Sequence, residues 1–93
     1  MNTVAQTIAQ QIGNRAFFMM GTKLDKWADG NALIFKVRGS KRVKMVKVTL
    51  AADDTYTVGF FGLAARKVAE CECVYVEQLH CTIEQHTGLY LSL

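Results

Sequence analysis

Three short runs of β-branched and aromatic residues constrain the fold of this 93-residue chain more than any other feature. Turn-forming residues separate the runs, which cover residues 32–37, 43–50 and 56–61. Such spacing is typical of antiparallel strands joined by short loops. Alternation places Leu33, Val46 and Tyr56 on one face, whereas Lys36 and Lys47 fall on the other. The sequence therefore predicts a meander with one buried face and one solvated face.

Two helices are predicted to flank these strands. The first begins near Thr3 and ends before Gly13, because apolar residues recur at every fourth position from Val4. The second covers residues 73–87, where an apolar stripe is centred on Leu79 and Gly88 follows as a C-terminal cap. Both patterns are amphipathic, so each helix has one face suited to covering a sheet.

The remaining segments complete a single α+β domain over residues 1–93. Residues 15–20 form a short apolar run with two aromatics, which favours a strand, and residues 22–27 predict an extended or single-turn link. A further strand is expected within residues 63–69, and the apolar tail 89–93 is expected to pack on the body or on a second copy. The predicted architecture is an antiparallel meander sheet of three to five strands, with the N-terminal and C-terminal helices packed on one face.

Composition indicates a globular protein, since 51% of the residues are hydrophobic and 20% are charged. The longest apolar run is too short to span a bilayer, so no membrane association is expected. The N-terminus lacks a basic region followed by an apolar core, which argues against a secretory signal. Three cysteines, an odd number, indicate reduced thiols and a cytoplasmic location.

The net charge of +3 conceals a strong asymmetry along the chain. Four acidic residues and no lysine or arginine occur from Glu70 onward, which predicts an acidic C-terminal helix. Six cations and no acid occur between residues 36 and 47, on and beside the first predicted hairpin: Lys36, Arg38, Lys41, Arg42, Lys44 and Lys47. These cations are candidates for contacts to nucleic acid or to a protein partner. A charged edge that discourages strand-to-strand aggregation explains them equally well.

A second candidate surface follows from the alternation in the third strand. If Phe60 faces the core, Phe61 faces the opposite side, beside the small residues around Leu63. An exposed aromatic of this kind suits a partner surface or a homodimer contact, to which Tyr90 of the apolar tail would contribute. Alternatively, the tail itself covers that face of the sheet.

Five potential metal ligands or nucleophiles fall within sixteen residues: Cys71, Cys73, His80, Cys81 and His86. The Cys-x-Cys spacing is tighter than in zinc knuckles, and adjacent ligands on a helix point about 100° apart. Cys73 is expected near the start of the second helix, where two glutamates oppose thiolate formation. The favoured interpretation is half-buried thiols and solvent-facing imidazoles, with no metal, cofactor or catalytic residue. Asp53 and Asp54 are interpreted as turn residues rather than metal ligands.

Several short motifs carry a resemblance to other proteins. They are a glutamine-rich N-terminal helix, Met19-x-Gly-x-Lys23, residues 54–58 (Asp-Thr-Tyr-Thr-Val), and the ending Thr87-Gly-Leu-Tyr-x-Ser-Leu93. With these motifs the chain resembles a loose family of small uncharacterised proteins encoded by bacteriophages and other bacterial mobile elements. The three cysteines and residues 43–47 depart from that pattern. The resemblance implies a bacterial cytoplasmic setting and a mobile-element origin, and it brings no known activity or catalytic residue.

Small phage proteins often bind host machinery, so the resemblance favours a non-enzymatic interaction protein. Its expected partner is a host or phage protein, including components of a host defence system such as CRISPR. The alternative is a nucleic-acid-binding accessory protein that uses the basic hairpin, residues 36–47. A small metal- or thiol-dependent enzyme ranks last, and a homodimer is expected.

Overall fold

The computed structural model describes residues 3–19, 21–22, 26–38 and 40–88, and within them it confirms an α+β fold. The helices and strands follow in the order α1 (Thr3–Ile12), α2 (Asn14–Met19), β1 (Lys26–Asp29), β2 (Ala32–Lys36), β3 (Met45–Leu50), β4 (Tyr56–Phe61), β5 (Lys67–Val74) and α3 (Leu79–Thr87). Two short 3₁₀ turns, Leu63–Ala65 and Val76–Gln78, flank β5. No helix within the described residues is long and apolar enough to cross a membrane.

The five strands form one antiparallel sheet in sequence order, which confirms the predicted meander. Phe35 lies opposite Val46, and Val46 lies opposite Phe60, so that three fully buried side chains form a row across β2, β3 and β4. Lys36 is exposed and Lys47 is half-buried, each one position out of phase with this row. The predicted assignment of buried and solvated faces is therefore confirmed for these strands.

One hydrophobic cluster joins the helices to the sheet. It contains Ile8 and Ile12 of α1, Phe17 of α2 and Ile83 of α3 together with the buried strand residues. The Phe17 ring packs edge-on against Phe35, with ring centroids 5.2 Å apart and an interplanar angle of 84°. The apolar stripe predicted for the first helix is thus the part of α1 that enters the core. The packing of both terminal helices on a single face of the sheet stays a prediction.

The predicted strand over residues 15–20 is wrong, because residues 15–19 belong to α2. The helix ends in a two-bond cap: the Thr22 N–H donates to the Phe17 carbonyl at 2.8 Å, and the Gly21 N–H donates to the Phe18 carbonyl at 3.0 Å. Gly21 has a φ of 75°, as the residue after such a helix end requires. Gly21 therefore forms the C-terminal cap of α2.

The C-terminal end of the link predicted over residues 22–27 is extended, but it was not predicted to belong to the sheet, where β1 begins at Lys26. Trp27 pairs with Ile34, so β1 is ordered by the neighbouring strand rather than by its own polar sequence. A tight turn joins β1 to β2: Gly30 has a φ of 59°, and Asp29 lies opposite Ala32 across it. Residues 23–25 lie outside the described residues.

The boundary between the last strand and the last helix differs most from the prediction. The strand expected within residues 63–69 instead runs from Lys67 to Val74, because Val74 still pairs with Tyr56 of β4. The helix predicted over residues 73–87 corresponds to α3, which consequently begins at Leu79 rather than at residue 73. Its predicted end is confirmed, since Gly88 caps it with a φ of 75°.

This shift also corrects the predicted acidic helix. Glu70 and Glu72 belong to β5, and Glu77 lies in the 3₁₀ turn that precedes α3. Only Glu84 lies within α3 itself. The excess of acid over base in the C-terminal part of the chain is therefore spread over three elements and does not form one charged helix face.

We expect Val48→Ala to lower the free energy of unfolding by about 1–3 kcal/mol, through lost apolar burial and a residual cavity. Val48 is fully buried on the central strand β3. Its neighbour Thr49 is half-buried and out of phase with the buried row, so Thr49→Ala should cost well under about 1 kcal/mol. Urea unfolding of both variants measures the difference, and equal costs would contradict the register.

Candidate functional site

The β2–β3 and β4–β5 connections lie side by side at one end of the sheet. Lys36 pairs with Met45, and Met45 pairs with Phe61, so these strand ends are in register. Beyond them, the Val37 N–H donates to the Lys44 carbonyl at 2.9 Å, and the Lys44 N–H donates to the Phe61 carbonyl at 2.8 Å. We call this region the basic end, defined by Lys36, Arg38, Lys41, Arg42, Lys44 and Arg66.

Five of the six cations predicted as a site belong to the basic end and are exposed: Lys36, Arg38, Lys41, Arg42 and Lys44. The sixth, Lys47, differs in its surroundings. Its ammonium lies 3.4 Å from the Asp29 carboxylate of β1, which offsets its charge. Another ion pair, between Lys67 and Glu70 at 3.0 Å, offsets charge on β5. Positive charge is therefore concentrated at the end of the sheet rather than along its strands.

The loop that carries these cations is held by specific contacts. Ser40 is only 4% exposed, and its hydroxyl accepts a hydrogen bond from the Val43 N–H at 3.2 Å. The Lys44 ammonium donates to the Ser40 carbonyl at 3.0 Å, and Val43 is fully buried. The Thr22 hydroxyl donates to the Lys36 carbonyl at the base of the loop. Lys41 and Arg42 therefore project from a loop that is anchored on both sides.

Two contiguous grooves run through the basic end. One, of about 470 Å³, is lined by Lys36, Val37, Arg38, Lys44, Met45 and Gly62. The other, of about 540 Å³, is lined by Arg42, Gly62, Leu63, Ala64, Arg66 and Val68. Gly62 lines both, and a Cβ there would lie 3.1 Å from the Arg42 carbonyl oxygen. The absence of a side chain at Gly62 thus allows the two connections to approach each other closely.

The turn after Gly62 presents an apolar residue among the cations. Leu63 is 82% exposed at the start of the 3₁₀ turn. The turn is closed by the Gly62 N–H, which donates to the Arg66 carbonyl at 2.7 Å, and Ala64 adopts a φ of 59° within it. Sequence reasoning missed Arg66 because it assigned this segment to a strand. Leu63, by contrast, was predicted as an interface residue and lies in an exposed position.

Phe61 is less exposed than the alternation suggested. It is half-buried, and its ring lies over Gly59, where a Cβ would come within 3.2 Å of Phe61 Cε2. The Lys67 ammonium lies 6.0 Å from the centroid of the ring. Phe61 therefore covers the strand beside the basic end instead of projecting from it. Tyr90, the third predicted interface residue, lies outside the described residues.

Asp53 has a structural role in the β3–β4 turn. Its Oδ1 accepts hydrogen bonds from the Thr55 hydroxyl at 2.6 Å and from the Thr55 N–H at 3.2 Å. These two bonds stabilise the carboxylate and lower the pKa of Asp53. The interpretation of Asp53 as a turn residue is confirmed.

The histidines are more deeply placed than predicted. His80 Nε2 lies 2.6 Å from the Ile12 carbonyl at the C-terminus of α1, and His86 Nε2 lies 3.7 Å from Cys71 Sγ. Both imidazoles are half-buried, so the expectation of solvent-facing rings is wrong. Cys73 and Cys81 are exposed. Within the described ranges, no group of three or more histidine, cysteine, aspartate or glutamate side chains is arranged to hold a metal ion.

Fold and surface together define a small α+β protein with a meander sheet and one basic end. Comparisons with protein-family models, with curated proteins and with solved structures gave no match.

Proposed function

We propose that this chain is a non-enzymatic interaction module that binds an acidic protein partner through its basic end. The observation that carries the proposal is Leu63, 82% exposed on a closed turn and lining one groove with Arg42 and Arg66. Arginine is enriched in protein–protein contact sites, and the buried centre of such sites is more apolar than the rest of the surface. The surrounding cations would attract an acidic partner and orient it during encounter.

The preference for protein over nucleic acid depends on the aromatic residues near the basic end. Recognition of single-stranded nucleic acid by a sheet uses exposed aromatic rings on which bases stack. Phe61 is half-buried over Gly59, and Trp27, which is 41% exposed, lies on β1 at the far edge of the sheet from β4. The turn that lines the groove with Arg42 and Arg66 exposes an aliphatic residue, Leu63, whereas Phe18, an aromatic residue that is 81% exposed, lies on α2.

The resemblance to small phage and mobile-element proteins supports the choice of partner. It favours a bacterial cytoplasmic setting and a host protein as the target, including a component of a defence system such as CRISPR. The geometry adds what that target must offer: an acidic surface with an apolar recess large enough for a leucine side chain.

A comparative pull-down from bacterial lysate, followed by mass spectrometry, tests this proposal. The bait is used as the unmodified chain, as L63S/R66S, and as V76S. Val76 is 48% exposed and follows β5 at the opposite end of the sheet, so V76S is a matched loss of exposed apolar surface. The partner is then purified and titrated. We expect L63S/R66S to weaken binding by about tenfold or more and V76S to leave it unchanged. Equal affinities for all three baits would contradict the proposal.

Nucleic acid is the second candidate, favoured by the groove that Lys36, Arg38 and Lys44 line together. We expect the triple variant R38S/K41S/R42S to keep its free energy of unfolding within about 1 kcal/mol, because exposed charges contribute little. If nucleic acid binds here, the salt dependence of affinity should shrink by about one unit of slope per lost phosphate contact. Titration of mixed-sequence DNA and RNA at several salt concentrations measures this. No binding by the parent chain at low salt would eliminate this candidate.

The homodimer expected from sequence is a separate proposal, and the charge distribution bears on its geometry. A two-fold contact centred on Leu63 would bring Arg42 and Arg66 of both copies together, and like charges in a contact oppose association. We therefore assign Leu63 to a different partner and leave Phe61 as the residue to test for self-association. Sedimentation of the unmodified chain and of F61S at micromolar concentration distinguishes a dimer from a monomer.

A further inference from the structure

A thiol and an imidazole that are fifteen positions apart in sequence meet between β5 and α3. Cys71 Sγ lies 3.7 Å from His86 Nε2, within the range of a sulfur hydrogen bond. The His86 ring also stacks on Phe60, with ring centroids 4.5 Å apart and an interplanar angle of 15°. Phe60 is fully buried, so the imidazole rests against a fixed part of the core.

The other ring nitrogen of His86 determines which partner carries the proton. His86 Nδ1 lies 3.0 Å from the Thr82 carbonyl oxygen, one turn earlier in α3. A carbonyl oxygen only accepts hydrogen bonds, so in the neutral ring Nδ1 carries the hydrogen and donates it. Nε2 then presents its lone pair to Cys71, and the thiol donates to it. A nucleophile, a base and a group that orients the base are therefore present together.

Charged groups around the pair come from three elements. Lys41 and Arg42 line a depression of about 390 Å³ together with His86. Glu70 and Glu72 flank Cys71 on β5. Glu70 pairs with Gly59 and is one position out of phase with Cys71, which pairs with Val58, whereas the register shifts after Cys71, so alternation does not extend to Glu72. On α3, Glu84 is two positions before His86 and therefore points away from it around the helix.

We propose that Cys71 is a reactive thiol activated by His86, forming a modification site for small soft electrophiles, including hydroperoxides. Cys71 is half-buried, and partial exposure is typical of reactive cysteines. With a hydroperoxide, the Cys71 proton passes to His86 Nε2 and the sulfur attacks the terminal peroxide oxygen. The O–O bond breaks, and the leaving alkoxide or hydroxide takes the proton back from His86. The thiol is oxidised to a sulfenic acid, and the peroxide is reduced to an alcohol or water.

The two other cysteines supply an internal comparison. Cys73 and Cys81 are exposed and therefore more accessible than Cys71. The chain has two histidines, and the second, His80, is hydrogen-bonded to the Ile12 carbonyl. Accessibility alone predicts that Cys73 and Cys81 react first, whereas base activation predicts that Cys71 does. The order of reaction therefore distinguishes the two explanations.

Limiting iodoacetamide, followed by mass spectrometry of each cysteine peptide, measures that order in the folded chain. The alkylation rate of each cysteine in the folded chain is divided by its rate in urea, where the three thiols are equally accessible. We expect Cys71 to have the fastest alkylation rate of the three cysteines in the folded chain. The H86Q substitution should lower the rate at Cys71 by about tenfold or more and leave the rates at Cys73 and Cys81 unchanged. A dimedone label after peroxide treatment should fall on Cys71.

Faster labelling of Cys73 and Cys81 than of Cys71 in the unmodified folded chain would overturn the proposal, and this measurement does not depend on whether H86Q folds. An unchanged Cys71 rate in folded H86Q would also overturn it. Because the proposal involves neither Leu63 nor partner affinity, its outcome is independent of the proposed binding function.

Discussion

Replacing Phe35 with alanine is expected to lower the free energy of unfolding by about 3–5 kcal/mol. Phe35 is fully buried at the centre of the sheet, packs edge-on with Phe17 at 5.2 Å, and lies opposite Val46 on β3. Its removal therefore leaves a cavity where α2 meets the sheet. Domains of this size have total stabilities of roughly 5–15 kcal/mol, so a large part of the protein should be unfolded at moderate urea concentrations.

Ile34 supplies the matched control for this experiment, because it is adjacent in β2 and half-buried on the other side of the sheet. Ile34→Ala should lower the free energy of unfolding by no more than about half as much as Phe35→Ala does. The reason is that less apolar surface is buried at position 34. Urea unfolding followed by tryptophan fluorescence measures both, since Trp27 is the chain's one tryptophan. A larger cost at position 34 than at position 35 would reverse the assignment of faces.

The faces of the central strands were predictable because side-chain direction in a strand alternates with a period of two. Phe35, Val46 and Phe60 each fall on the apolar phase of their run, and all three are fully buried. A one-residue slip of any of these strands would turn its apolar face outward, so the phase of each strand is fixed. The signal was strong because charged residues such as Lys36 occupy the other phase.

Helix α2 was not predictable in the same way. A six-residue apolar run has too few turns for helical periodicity to separate it from a strand. What decides the matter is tertiary: Phe17 packs on Phe35, and Gly21 provides the positive φ that closes the helix. The start of α3 was misplaced for a related reason, since pairing of Val74 with Tyr56 extends β5 into residues with a helical pattern.

The candidate site was predictable in its charges but not in its partners. The six cations of residues 36–47 were evident from the sequence, whereas the Lys47–Asp29 pair depends on three strands lying side by side. Arg66 lies at the basic end because of the turn that follows Gly62, and the sequence did not predict that turn. Similarly, Cys71 and His86 were considered for metal-ligand spacing, and their direct contact depends on where α3 packs.

Charge reversal at the basic end is expected to have the largest effect on binding. The variant K41E/R42E/R66E should weaken affinity for the captured acidic partner at least about 100-fold, or about 2.7 kcal/mol, because attraction becomes repulsion. All three residues are exposed, so the free energy of unfolding should stay within about 1 kcal/mol. Isothermal titration and urea unfolding of the same samples measure the two quantities.

A single-residue comparison separates local contact from total charge. R15E and R42E change the net charge equally, but Arg15 is exposed on α2, whereas Arg42 lines the groove beside Leu63. If the partner docks at the basic end, R42E should weaken binding more than R15E, and the difference should persist at high salt, where long-range attraction is screened. Equal losses that disappear with salt would mean that net charge alone attracts the partner, and that Leu63 and the grooves around it are not its docking site.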